Sequence, residues 1–285
     1  MKEKIEHIIP LILLLLFTGC SDEFEDGISD PDDMIVVDGW IENNQFAKVL
    51  LTKNTPYFSS LDSASIRQLV LTRAKVTLSD GENSEVLILR KIPEYFPPFV
   101  FEGNEIKGMP GKSYTITAEY GGKTVISTTT IPEIVSADIV NFNLKEGSDS
   151  LGTITIEFND PPEESNYYRV LSKVRGKDSR FSSSLMMGIS DSYFNGQRFG
   201  YTMQRGQNNY LTQDKNSWFR VGDTVDIKFC TIDKEHFEFW KSYQDEVFNS
   251  GNPFASSLSG LKSNIIGGLG VWGGYGVYFT TLIIR

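Results

Sequence analysis

The sequence predicts a mainly β protein with two β-rich domains and one substantial helix. Most of the chain after residue 34 consists of short runs rich in β-branched residues, bounded by Gly, Asn, Asp or Pro. One segment near residues 233–249 has apolar residues at helical spacing instead. Without an N-terminal targeting segment about 265 residues remain, enough for two ordinary domains with proper cores.

Residues 1–19 are predicted to be a signal peptide. Lys2 and Lys4 lie in a short charged region, and residues 8–17 are apolar apart from Pro10. This run is shorter than the roughly 20 apolar residues that cross a bilayer, but it matches the about 7 to 15 of a secretory signal. We therefore exclude the segment from the fold prediction.

A cysteine directly after the apolar run indicates lipid attachment. Thr18, Gly19 and Cys20 resemble the bacterial lipobox, in which a diacylglyceryl group is attached to the cysteine before the signal is cut. Phe17 stands where that pattern usually has leucine or another aliphatic residue. The alternative is an ordinary secretory signal with an accidental cysteine. We expect Cys20 to carry acyl chains that anchor the protein to a membrane.

The residues after the cysteine form a predicted acidic tether, residues 20–33. The first of them resemble the export signal of lipoproteins on the outer face of the Bacteroidetes outer membrane; they are Ser21, Asp22, Glu23, Phe24 and Glu25. A solvated tether with no signal function would have the same composition. We expect a lipid-anchored outer-membrane protein, and its exposure at the cell surface is what the resemblance implies.

Residues 34–132 are predicted to form an antiparallel β-sandwich. Strand-like runs cover residues 35–42, 46–53, 74–81, 85–91, 112–120 and 123–131. Tyr114 lies at the start of a late run, where it could be the tyrosine corner of an immunoglobulin-like sandwich or an ordinary half-buried tyrosine. Pro132 ends the last run and marks the predicted domain boundary.

Residues 133–285 are predicted to form a second β-rich domain, either a sandwich or a barrel-like sheet. Strand-like runs cover residues 134–144, 152–160, 166–174, 180–189 and 223–232. Asp233 can cap the predicted helix, and Gly251 and Pro253 can end it. Its apolar stripe consists of Phe237, Trp240, Tyr243, Gln244 and Val247. We expect this stripe to pack on a sheet rather than to bind a ligand.

A glycine-rich segment near the C-terminus contains a formal G-x-G-x-x-G in Gly268, Gly270 and Gly273. A dinucleotide site needs these glycines to open a helix, with an acidic residue about 20 positions further on. Here they lead into a strand-like run, and no acidic residue follows. We expect the glycines to allow close backbone packing.

The composition argues against several kinds of chemistry. The net charge of −10 disfavours nucleic acid as a partner. Once Cys20 is lipidated Cys230 has no partner, and we expect it to be a small buried apolar residue. His236 is the last of two histidines, and we expect it on the helix surface. No catalytic residue, metal ligand or cofactor is therefore predicted, although a pair of carboxylates brought together by the fold remains open.

Aromatic clusters in probable loops are the candidate binding residues. Exposed rings there could stack on sugar rings or anchor a protein partner, whereas rings that fold back would complete a sandwich edge. The candidates are Tyr95, Phe96, Phe99, Tyr193, Phe194, Trp218 and Phe219.

Several segments in order resemble an uncharacterised family of Bacteroidetes outer-membrane lipoproteins typically encoded beside TonB-dependent receptors. The segments are VVDGWI (36–41), GMPGKSYTITAEYGGKTVIS (108–127), NYYR (166–169), VGDTVDI (221–227), NPF (252–254) and SNIIGGLGVWGGYG (263–276). The resemblance implies an immunoglobulin-like first domain and a role beside an envelope transporter, and it supplies no catalytic residues. We expect a non-catalytic accessory lipoprotein that binds a TonB-dependent transporter or its cargo. The alternatives are a carboxylate-based carbohydrate-active hydrolase and a surface adhesin or filament component.

Overall fold

The chain is mainly β, as predicted. Its computed structural model describes residues 34–54, 69–206, 217–249 and 260–285. These ranges hold one helix, α1 (Lys234–Asn249). The strands are β1 (Ile35–Glu42), β2 (Phe46–Lys53), β3 (Lys75–Ser79), β4 (Ser84–Val86), β5 (Ile88–Lys91), β6 (Phe99–Lys107), β7 (Ser113–Tyr120), β8 (Lys123–Thr130), β9 (Ile139–Leu144), β10 (Leu151–Asn159), β11 (Tyr167–Val174), β12 (Ser182–Ser183), β13 (Ile189–Ser190), β14 (Arg198–Met203), β15 (Phe219–Arg220), β16 (Thr224–Ile232) and β17 (Leu269–Ile283).

Several predictions fall on parts of the chain that the structure does not describe. The signal peptide, Cys20 and the acidic tether lie outside the described residues, and so do Gly251 and Pro253. Among the described residues, no helix combines the length and the apolar character that crossing a membrane requires.

The first half of the chain forms an immunoglobulin-like sandwich, which confirms the prediction. One sheet has the order β1-β2-β6-β5, and the facing sheet has the order β4-β3-β7-β8. Lettered along the chain, these are the A-B-E-D and C′-C-F-G sheets of that fold. The run predicted over 85–91 is divided at Leu87, so that β4 and β5 belong to different sheets. Strand β6 was missed because Glu102, Gly103 and Asn104 interrupt its β-forming residues.

Tyr114 is the tyrosine corner of this sandwich. Its ring is fully buried, and its hydroxyl donates to the carbonyl of Lys107 at 3.1 Å. The same hydroxyl accepts the backbone N–H of Met109 at 2.8 Å. Both partners precede β7, so the side chain fixes the connection between β6 and β7. This selects the first of the two readings of Tyr114 that the sequence left open.

The second half of the chain forms another sandwich rather than a barrel. Strand β10 pairs with β9, β14 and β15, and this sheet covers β11, β16 and the end of β17. The described strands do not close into a barrel. The run predicted over 180–189 forms only the two-residue strands β12 and β13, since serines dominate its first half. Strand β14 was missed because Arg198 and Gly200 obscure its alternation.

One nine-stranded sheet, called here the central sheet, passes through both sandwiches. Strand β17 pairs in parallel with β1, aligning Val36 with Leu269, and in antiparallel with β16. Each sandwich has a hydrophobic core, and Ile265 and Trp272 from the C-terminal segment belong to the first core. The central sheet and the first core therefore both include residues from beyond Pro132.

The position of helix α1 and its N-terminal cap agree with the prediction. Asp233 precedes the helix, and its Oδ1 accepts the backbone N–H of His236 at 2.8 Å. Its Oδ2 accepts the hydroxyl of Thr129 at 2.5 Å. The cap thus also ties the helix to the end of β8.

Replacement of Tyr114 by Phe is expected to lower the free energy of unfolding by about 1 to 3 kcal/mol, since two hydrogen bonds are lost and the backbone N–H of Met109 loses its partner. Urea unfolding of the purified protein measures the change. Tyr120→Phe is the matched control, because the half-buried Tyr120 ring packs against the first core and remains in that variant. Equal effects of the two substitutions would contradict the role of the corner.

Candidate functional site

A concave groove of about 1060 Å³ lies on the central sheet, on the face that points away from the two cores. Strands β1, β11, β16 and β17 form its floor. Helix α1, residues 179–187, the hairpin at 92–95 and the turn at 43–46 form its walls. We refer to this cavity as the groove.

Strand alternation explains why the groove floor is polar and aromatic. On β1, Val37 and Ile41 enter the first core, whereas Asp38 and Trp40 lie in the groove. On β11, Tyr168 and Val170 enter the second core, and Arg169 points to the groove between them. The central sheet therefore carries a packed face and a face available for binding.

Arg169 is the best-ordered charged group of the groove. Its guanidinium donates to the hydroxyl of Tyr275 at 2.5 Å and to that of Ser183 at 3.1 Å. It also lies 3.5 Å from the ring centroid of Trp240, in cation–π geometry. The side chain is only 7 % exposed, and its Nε has no hydrogen-bond partner among the described residues. The site thus contains a fixed positive charge with one buried donor left over.

Asp38 faces the same part of the groove floor. Water reaches its carboxylate, but protein surrounds it on the sides, and this partial desolvation raises the pKa of Asp38. The positive charges of Arg169 and Arg180 oppose the shift. These two arginines and one carboxylate therefore form a compact charged cluster.

Two ion pairs position other charged residues of the groove. Lys228 Nζ lies 2.6 Å from Glu42 Oε2, and Lys48 Nζ lies 3.0 Å from Glu102 Oε1. The complete set of charged lining residues is basic in excess, with five basic side chains and three acidic ones. They are Lys48, Arg169, Lys173, Arg180 and Lys228, with Asp38, Glu42 and Glu94.

Aromatic rings stand on the floor and on the walls of the groove. Trp40 and Tyr95 pack at a centroid distance of 5.7 Å, and burial with the nearby charges of Glu42 and Asp38 raises the pKa of Tyr95 to about 12. Across the floor, Trp240 and Tyr243 project from α1. The rings offer flat apolar surfaces beside charged groups, which is a common design of ligand sites.

A family model described as Domain of unknown function (DUF4249) matches residues 21–280. The chain belongs to this family. The match includes every strand of the groove floor, since β1, β11 and β16 lie inside it and β17 begins within it. No curated protein is significantly similar to this chain.

The structure distributes the predicted binding residues of this DUF4249 chain among three environments. Tyr95 lines the groove. Phe96 and Phe99 are half-buried outside it, Tyr193 is 95 % exposed, and half-buried Trp218 has Lys145 Nζ 4.7 Å from its ring centroid. Phe194 and Phe219 are buried in the second core, and their prediction as exposed binding residues is wrong.

The burial of Phe194 has a clear cause in the packing of its neighbours. Its ring stacks on Phe199 with centroids 3.9 Å apart, and it meets Phe158 edge-on. The two residues lie in the turn before β14, which exposes the Tyr193 ring and directs the Phe194 ring into the second core. Sequence alone could not decide which of the two rings folds back.

Sequence reasoning missed Asp38, Trp40, Arg169 and Tyr275 as site residues. Each belongs to a segment that carries the family resemblance, but each also looks like an ordinary residue of an alternating strand. The helix stripe was assigned to the core as a whole, and this is only partly right. Phe237 stacks on Tyr167 at 4.8 Å, whereas Trp240, Tyr243 and Val247 line the groove.

His236 lies beneath the groove and not on the helix surface, which corrects the prediction. It is 1 % exposed and packs edge-on against Tyr275 at 4.6 Å. A Cβ atom at Gly273 would stand 2.2 Å from the imidazole ring, so only glycine admits the histidine here. The prediction that the C-terminal glycines allow close packing is thereby confirmed.

The groove offers no evident place for a metal ion or an activated thiol. Among the described residues, no cluster of three or more His, Cys, Asp or Glu side chains could hold a metal. Cys230 is fully buried, as predicted, and desolvation raises the pKa of its thiol. The described chemistry of the groove is that of hydrogen bonds, charge and stacking.

Burial beneath the groove, together with the charge of Arg169, lowers the pKa of His236 to about 3. The unfolded chain has an ordinary histidine pKa of about 6.5, so the unfolded state binds the proton more strongly. The stability contributed by neutral His236 is therefore complete above pH 6.5 and is lost as the pH falls toward 3, at about 1.4 kcal/mol per unit.

His236→Gln is expected to flatten this dependence. Between pH 6 and pH 4, the wild type should lose about 2 to 3 kcal/mol more than the variant. Urea unfolding at the two pH values measures the difference. The pKa values of Asp38 and Asp233 are also shifted, but both residues are present in both proteins, so their contributions cancel in the comparison. Parallel losses in the two proteins would show that His236 is not the group that titrates.

Proposed function

We propose that this protein is a lipid-anchored accessory lipoprotein of the outer membrane that binds cargo of a TonB-dependent transporter in the groove, without catalysis. The lipobox at Cys20 and the acidic residues that follow support the location. The groove supports binding, because it combines about 1060 Å³ of open space with charges and aromatic rings held in position.

The observation that carries the proposal is the fixation of Arg169. Two hydrogen bonds and the ring of Trp240 hold its guanidinium before any ligand arrives. A binding group that is already ordered loses little conformational entropy when a ligand is bound. Burying a charged group costs free energy, and an apolar side chain could fill the same space without that cost.

The positions of Asp38 and Glu42, the two groove carboxylates on β1, do not match those of a glycosidase pair. Glycosidases place two carboxyl groups about 5 to 10 Å apart. Asp38 and Glu42 lie four residues apart on β1, roughly 13 Å along the strand. Glu42 is also held by Lys228.

The proposal is tested by isolating the tagged full-length protein from detergent-solubilised envelopes. A TonB-dependent transporter should copurify reproducibly with it, and the absence of any recurring outer-membrane partner would contradict the proposal. Tyr95→Ala should preserve copurification but reduce cargo uptake, because it removes a ring from the groove. Tyr193→Ala is the matched control, since this tyrosine lies exposed outside the groove.

Cys20→Ala is expected to release the protein from membranes, because the acylated sulfur provides the anchor. Cell fractionation and mass analysis of the mature N-terminus measure the outcome. Continued membrane association of the variant would show that another feature holds the protein there.

A further inference from the structure

We propose that the groove binds an acidic saccharide, in which a sugar ring carries a carboxylate. The proposal rests on the proposed function, because it names the class of cargo that the same groove takes. Arg169 and Arg180 bind the carboxylate, Asp38 accepts sugar hydroxyl groups, and the rings of Trp40 and Tyr95 stack on the apolar face of a sugar.

The charge of the groove differs from that of the whole chain. The protein carries a net charge of −10, whereas the charged residues of the groove are basic in excess. An acidic protein repels anions unless a local field reverses the sign. The groove is therefore the place where this protein can attract an anionic ligand.

The two arginines have unused capacity to bind an anion. Arg180 makes no hydrogen bond or ion pair with another described residue, and Arg169 hydrogen-bonds only to hydroxyl groups among the described residues, so no ion pair neutralises either charge. The carboxylate of Asp38 is close enough to both arginines for its charge to interact with theirs. A ligand carboxylate would satisfy the guanidinium groups through charge-assisted hydrogen bonds.

The remaining groups fit a sugar ring. Asp38 accepts no hydrogen bond from another described residue, so its oxygens can accept the hydroxyl groups of a ligand. Trp40 on the floor and Tyr95 on the adjoining wall present rings inclined by only 35° to each other. Aromatic faces beside hydrogen-bonding side chains suit a ring that has one apolar face and a polar edge.

A peptide fits the groove less well. Extended peptides bind by adding a strand to a free sheet edge, where backbone N–H and C=O groups give the affinity. The groove floor is the face of the central sheet, and its strands β1, β16 and β17 are each paired on both sides. The floor therefore offers side chains to a ligand and no unpaired backbone.

The test is isothermal titration of the full-length protein in detergent micelles. The probes are α-1,4-trigalacturonate and β-1,4-trimannuronate, each compared with its neutral counterpart, galactotriose or mannotriose. At least one uronate should bind at least about tenfold more tightly than its neutral counterpart, and added salt should weaken it. Arg180→Gln should lower that affinity about tenfold or more, because one charge-assisted contact is lost.

Arg198→Gln is the control, since Arg198 pairs with Glu157 on the exposed side of the second sandwich and should leave the affinity unchanged. Circular dichroism checks that both variants are folded. The inference is overturned if neither uronate binds, if the neutral sugars bind equally well, or if Arg180→Gln has no effect. If such a result accompanies normal copurification of the transporter, the proposed function stands and only the ligand class is wrong.

Discussion

The parallel pairing of β1 with β17 is the contact on which the rest of the structure depends. It joins the first and last described strands and places Trp40 opposite Gly273. Without it the two sandwiches would hold separate sheets. Glycines make the contact possible, since a side chain at Gly270 would stand 1.9 Å from the carbonyl oxygen of Val37.

This pairing also creates the groove. Asp38 and Trp40 come from one half of the chain, and Arg169 comes from the other, so neither half contains the charged cluster alone. Because β17 lies between β1 and β16, Tyr275 can receive the hydrogen bond of Arg169. The groove is thus a property of the joined sheet rather than of either sandwich.

Local patterns predicted much of the fold and little of the site. The runs at 35–42 and 46–53 coincide with β1 and β2 because their apolar residues alternate or cluster in β-branched stretches. The roles of Asp233 as a helix cap and Tyr114 as a possible tyrosine corner were also predicted, since each side chain hydrogen-bonds to backbone groups only a few residues away. The groove was not foreseen, because its residues converge through pairings between strands more than 50 residues apart. Nothing in the sequence around Arg169 indicates that the ring of Trp240 will lie against its guanidinium.

The topology has a consequence for biogenesis. Strand β1 leaves the ribosome long before its neighbour β17, and contacts of such sequence separation form late because a long loop must first be closed. The eight strands of the immunoglobulin-like sandwich can pair early, while one edge of β1 remains unpaired until β17 is available. The floor of the groove is therefore complete only after β17 has paired with both β1 and β16.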